Sequence, residues 1–151
     1  MGKKKKGLKK LKLSKLTARY VGTPYRLAGQ NTVEGLDCLT LVLSLARDLM
    51  VPVPAQFEGS DGKNHAELWT QDSERAKARF IRFVKTLGPE LPPHRAFAGD
   101  LLILKGKETG DTVVALHAGG DVALTAWTDV GCHLINTRLF DIKRVINWRR
   151  R

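Results

Sequence analysis

The sequence predicts an α+β domain, with helices first and several antiparallel strands after them. Three observations predict it. Apolar residues at helical spacing run through Leu39, Leu41, Val42, Leu43, Leu45, Ala46 and Leu49. A second stripe, Ala76, Phe80, Phe83, Val84 and Leu87, is interleaved with Arg75, Lys77, Arg79, Arg82 and Lys85. Beyond Gly99 the pattern changes to short apolar runs broken by turn residues, with Gly119-Gly120-Asp121 as a hairpin signal. Helices and strands segregated along a chain of 151 residues define that class, and the length suits one domain with a real core.

The charge divides the chain at its start. Of a net charge of +11, residues 1–19 carry +9 and no acid, so residues 1–16 read as a basic arm and 17–151 as the domain. Lys3, Lys4, Lys5, Lys6, Lys9 and Lys10 can contact a polyanion, and no aromatic lies among them to stack on bases. Leu8, Leu11, Leu13 and Leu16 can form a docking stripe. The lysines are not followed by an apolar segment, so the start does not read as a secretory signal. Hydrophobic content is 42%, and no apolar run reaches the length of a membrane span. Two cysteines, Cys38 and Cys132, do not make a disulfide framework.

Leu16 to Tyr20 ends a short helix. Tyr20 to Val42 follows as a turn with an aromatic (Gly22-Thr23-Pro24-Tyr25), a polar loop (Ala28 to Gly35), and then Asp37-Cys38. Asp37 is placed to cap a helix running to about Met50, which stops before Pro52. Cys38 then sits in the first turn, where backbone N–H groups and the helix dipole favour a thiolate. Val51 to Pro54 is extended, and Phe57 to Asn64 is a loop. His65, Leu68 and Trp69 fall on a short helical turn, with His65 a surface or packing residue. The second helix spans Asp72 to Leu87 and ends at Gly88-Pro89. His94 lies in an exposed loop. Strands are predicted at Leu101 to Leu104, Thr112 to Ala118, Val122 to Trp127, Cys132 to Ile135 and Phe140 to Trp148.

A cysteine at a helix mouth can be a nucleophile if an imidazole takes its proton and a third polar group holds that imidazole. Gly22, Pro24, Tyr25, Gly29, Gly35, Asp37, Cys38, Leu41 and Val42 fall in the pattern of the nucleophile segment of the NlpC family. The segment closely resembles that family of papain-like cysteine peptidases; Ala28, Leu39 and Thr40 depart from it. The resemblance, which extends more weakly from Ala98 to the end, implies a papain-like NlpC-type fold, N-terminal helices packed on a small antiparallel β-sheet. It also implies Cys38 as nucleophile, its backbone N–H as an oxyanion donor, and Tyr25 as a hydroxyl donor. Asp37 belongs to the same motif. Two placements of the base are open. His117-Ala118-Gly119 looks like the start of the family's histidine strand. An ungapped match of the hairpin instead puts Thr112 at the histidine position and Thr125 at the third polar position, with His117 on the opposite face. His133 is a further candidate base. Asn136, Asp129 and Thr125 could orient an imidazole.

By resemblance, the substrate is the peptide of bacterial peptidoglycan. The setting implied is a phage tail or gene-transfer particle, with other tail proteins as partners and the cytoplasm as location until lysis. A copy of the fold without a working site would be a structural tail protein, and a third reading is a polyanion-binding accessory protein. The cysteines and the four histidines show no metal-ligand spacing, and no phosphate loop or dinucleotide motif is present, so no metal and no cofactor is expected.

Overall fold

The computed structural model describes residues 13–53 and 63–150, with backbone only at 63 and 64. Lys3 to Lys12, Leu8 and Leu11 lie outside the described residues, and with them the arm's polyanion contacts. Helix α1 is described over residues 13–20; α2 spans Cys38–Asp48, α3 Lys63–Gln71 and α4 Ser73–Lys85. Six strands follow: β1 (Glu90–Leu91), β2 (Leu101–Gly106), β3 (Thr112–Gly119), β4 (Val122–Trp127), β5 (Gly131–Asn136) and β6 (Phe140–Ile146). They form one antiparallel sheet in the order β1-β6-β2-β3-β4-β5. The fold is α+β, with helices packed on that sheet, as the sequence predicts.

Helices α2 and α4 start where a side chain can satisfy their free amides. Asp37 caps α2, and Asp72 caps α4 by accepting from the Arg75 N–H. In α4 the predicted stripe Ala76, Phe80, Phe83 and Val84 is buried, and Arg82 and Lys85 sit in the last turn, where the helix dipole favours them. Helix α1 is tied to α2 by the Tyr20 hydroxyl, which donates to Asp48 Oδ2 at 2.5 Å, and Leu16 and Tyr20 belong to the core.

Strand alternation splits the sheet residues between two cores. Leu101, Ile103, Val114, Leu116, Leu124 and Ala126 face the helices and join Leu39, Leu45, Phe80 and Val84. Leu102, Leu104, Ala115, Ala123, Ile135 and Val145 form a second cluster on the far face, with Trp127 and Phe140 packed against it. That cluster draws on β5 and β6, strands from opposite halves of the sheet order, so the sheet curls over its own far face. Each fully buried leucine is worth about 1.5–3 kcal/mol of apolar transfer.

Two details of the sheet shape the site. Strands β3 and β4 pair at Leu116, His117 and Gly119 only, with a register shift after His117, and then part toward Thr112 and Trp127. The Thr125 hydroxyl spans the gap by donating to the Val114 carbonyl at 2.8 Å. Strand β6 ends at Ile146, short of the predicted Trp148. That tryptophan is buried beyond the strand and donates its Nε1–H to the Gly99 carbonyl at 2.7 Å. Among the described residues, no helix is long and apolar enough to cross a membrane.

Candidate active site

The site is built around the start of α2. The Asp37 carboxylate is fully buried and uses both oxygens: Oδ1 accepts from the Thr40 N–H at 2.8 Å, and Oδ2 from the Ala28 N–H at 2.8 Å. The Thr40 hydroxyl in turn accepts from the Asp37 N–H, also at 2.8 Å, completing a capping box. One carboxylate thus starts the helix and closes the loop before it. That loop folds back on itself: Leu36 N donates to the Pro24 carbonyl and Arg26 N to the Leu36 carbonyl. A side chain at Gly29 would collide with the Gly35 carbonyl, so the sequence places glycine where the two backbones touch. Ala28, where the resembled family has glycine, adopts φ 60°.

Cys38 follows the cap, and its Sγ lies 3.6 Å from Nε2 of His65. His65 comes from α3, the helix read from the sequence as a short turn with a surface or packing histidine. It is instead fully buried, tilted against the rings of Trp69 and Phe80 at 5.8 Å each. Among the described residues, its Nδ1 has no hydrogen-bond partner. Burial, and then the nearby Asp37 charge, push the Cys38 thiol up to about 12. The N–H groups of Leu39 and Cys38, together with Lys77, oppose that rise without cancelling it. Burial lowers His65, helped by Arg79 and opposed by Asp37. Burial thus favours the neutral form of both the thiol and the imidazole. For Nε2 to accept the thiol proton, the ring's own proton must sit on Nδ1.

Of the residues predicted for the site, the structure brings together Cys38, Asp37 and Tyr25. Tyr25 lines the same cavity as Cys38, and its buried hydroxyl has no partner among the described residues. Its ionisation is pushed up by burial, then by Cys38 and Asp37, so it is a donor here. His117 is not brought to the sulfur. It pairs with Ala123, which belongs to the far-face cluster, and cross-strand partners share a face. Its Nδ1 accepts from the Gly119 N–H at 2.9 Å. The register shift comes after His117 and does not turn it back. Thr112 stands at the start of β3, on the strand whose sixth residue is His117. The Thr125 hydroxyl is engaged with the Val114 carbonyl, so it does not hold an imidazole. His133 packs edge-on against Trp127 at 4.5 Å, and His94 is exposed. Asp129 and Asn136 line the cavity's outer part, and the Asn136 side chain accepts from the Arg138 N–H.

The residue that sequence reading missed is His65. A lone histidine on a short polar helix carries no spacing signal, and only the packing of α3 and α4 against α2 delivers it. The same packing gathers Asp37, Cys38 and His65 into one group whose ligating atoms all lie within 4.8 Å of one another, a grouping that sequence spacing does not reveal.

A cavity of about 870 Å³ opens beside Cys38, bounded by Tyr25, Trp69 and Phe80 on the helix side and by Thr112, Thr125 and Ala126 where β3 and β4 part. A thiol at a helix start, an imidazole beside it and an open cavity are the parts that a thiol nucleophile requires. No family model matches the sequence. No curated protein matches it either. Among solved structures, the fold is similar to the NlpC/p60 domain of the peptidoglycan hydrolase SagA. The two share 18% identity at a TM-score of 0.55, over 91% of this chain and 97% of that one. At that identity the likeness is one of fold.

Proposed function

We propose that this protein is a thiol hydrolase that cuts peptide amide bonds of bacterial peptidoglycan. Cys38 attacks the amide carbonyl while His65 takes the thiol proton and returns it to the leaving amine. Water then hydrolyses the acyl-enzyme, with the same imidazole as base. The free N–H groups at the mouth of α2 are the donors for the oxyanion. The observation that carries the reading is the 3.6 Å approach of Sγ to Nε2 at a helix start. The substrate class draws support from the likeness in fold to a peptidoglycan hydrolase domain. Action from a phage tail or gene-transfer particle, among other tail proteins and with the lysine-rich arm on a polyanion, belongs to the same proposal. It rests on the sequence resemblance.

One observation favours a second reading, a copy of the fold that serves only in assembly. Burial favours the neutral form of both the thiol and the imidazole, and in the ungapped hairpin match threonine stands at both positions where the resembled family carries polar catalytic groups. Purified peptidoglycan separates the two. The wild type is expected to release soluble peptides with new amino termini, Cys38→Ser and His65→Ala to release none above background, and His117→Ala to retain release. No release by the wild type, or release that survives Cys38→Ser, overturns the hydrolase.

A further inference from the structure

We propose that Asp37, Cys38 and His65 form a site for a zinc-type divalent cation, and that occupancy of this site silences the hydrolase. The binding half stands on geometry alone; the silencing half rests on the function proposed above.

Zinc binds thiolate at about 2.3 Å and imidazole nitrogen at about 2.0–2.1 Å, and at a tetrahedral angle those bonds span about 3.6 Å between sulfur and nitrogen. The Sγ–Nε2 separation is 3.6 Å. The separation of sulfur and nitrogen is therefore the one that a shared ion spans. The third donor is the Asp37 carboxylate, which completes a group with all ligating atoms within 4.8 Å of one another. Its Oδ1 accepts from both the N–H and the hydroxyl of Thr40, whereas Oδ2 accepts from the Ala28 N–H and keeps a second lone pair for a cation. Of the three donors Cys38 lines the cavity, so an ion would reach the group from the sulfur's side.

The donor set selects the class of metal. A sulfur and an imidazole nitrogen suit zinc and its analogues, whereas magnesium and calcium require oxygen ligands. A thiolate and a carboxylate together neutralise a divalent ion, so the occupied site buries no net charge. Binding exchanges the thiol proton for the metal; the proton leaves to solvent and nothing is oxidised or reduced. A ligating histidine usually anchors its other nitrogen, and among the described residues Nδ1 of His65 has no partner. The site is thus that of a reversible effector rather than of a structural centre. While the ion is bound, the sulfur cannot attack and Nε2 cannot take a proton.

Cobalt(II) tests this as a coloured substitute for zinc, on the full chain. The expected result is one equivalent bound with a sulfur-to-metal charge-transfer band. Cys38→Ser abolishes the band, and His65→Ala and Asp37→Asn weaken binding by about 10–100-fold, the range known for altered metal shells. Asparagine also caps helices, so the last variant tests the ligand without removing the cap. Cys132→Ala keeps both the band and the basal hydrolysis. Zinc is expected to displace cobalt and to suppress peptide release in the same stoichiometry, with chelator restoring it. No stoichiometric binding, or a band that survives Cys38→Ser, overturns the site. Faster hydrolysis on zinc loading overturns the silencing. A wild type that binds cobalt as predicted but never cleaves peptidoglycan leaves the site standing and refutes the hydrolase instead.

Discussion

Replacing His65 with leucine separates what the imidazole does for the reaction from what it does for the fold. The ring is fully buried between Trp69 and Phe80; Nε2 meets Cys38 Sγ, and Nδ1 has no hydrogen-bond partner among the described residues. A buried polar atom without a partner costs about 1–3 kcal/mol, and the contact to sulfur returns at most about 1 kcal/mol. Leucine removes the orphaned nitrogen and fills a similar volume, with a shape penalty under about 1.5 kcal/mol. Taking the middle of each range, His65→Leu should stabilise the protein by about 1 kcal/mol, which raises Tm by roughly 2–4 °C for a chain of this size. Loss of the general base should lower hydrolysis by about 10²–10⁴-fold. That is about 3–5 kcal/mol in the barrier. Thermal unfolding followed by circular dichroism reads the first quantity, and release of peptides from purified peptidoglycan reads the second. A variant that melts more than about 4 °C lower while hydrolysing at the wild-type rate refutes the assignment of His65 in both roles.

Further outcomes follow from the same geometry. His117→Ala, on the far face of the sheet, should change hydrolysis by no more than about twofold, the size of a ±0.5 kcal/mol substitution away from a site; a larger fall would return the base to β3. Asp37→Ala removes the acceptor for Thr40 and Ala28, and should lower the unfolding free energy in urea by about 2 kcal/mol, the upper end for a helix cap. Asp37→Asn should lower it by less. Burial holds the Cys132 thiol up to about 11 against an ordinary value of 9.0. The unfolded chain therefore releases that proton first as pH rises. Stability is unaffected below about pH 9 and falls between there and about 11. The urea midpoint should drop from pH 8 to pH 10.5 and drop less in Cys132→Ala; a rising midpoint would contradict the burial. With a thiol reagent at pH 8, Cys38 should react before unfolding and Cys132, at 1% exposure, only with it.

Helical and strand periods made most of the fold legible. The stripe from Ala76 to Leu87 and the runs flanking Gly119-Gly120 are decided by local alternation, so they emerge as α4 and as β3 with β4. Strand β1 was not legible: two residues beside β6 have no period of their own, and only the partner strand makes Glu90 and Leu91 a strand. For the site, Cys38 and its cap were readable because N-cap chemistry is local. The base was not. His65 is 27 residues from Cys38, and nothing in its neighbours Ala66 and Glu67 marks it. Its role is set by a helix-on-helix contact, whereas His117 carried a suggestive Ala-Gly context and was turned away by the strict alternation of a strand.

The bifunctional Asp37 carboxylate has a consequence for how the molecule opens. The amides of Ala28 and Thr40 rest on the two oxygens of one carboxylate, so a turn of that side chain releases both. The loop keeps its backbone bonds between Leu36 and Pro24 and between Arg26 and Leu36, and stays closed. What such a turn loosens first is the opening turn of α2, where the sulfur sits, so the aim of the nucleophile depends on the rotamer of its neighbour.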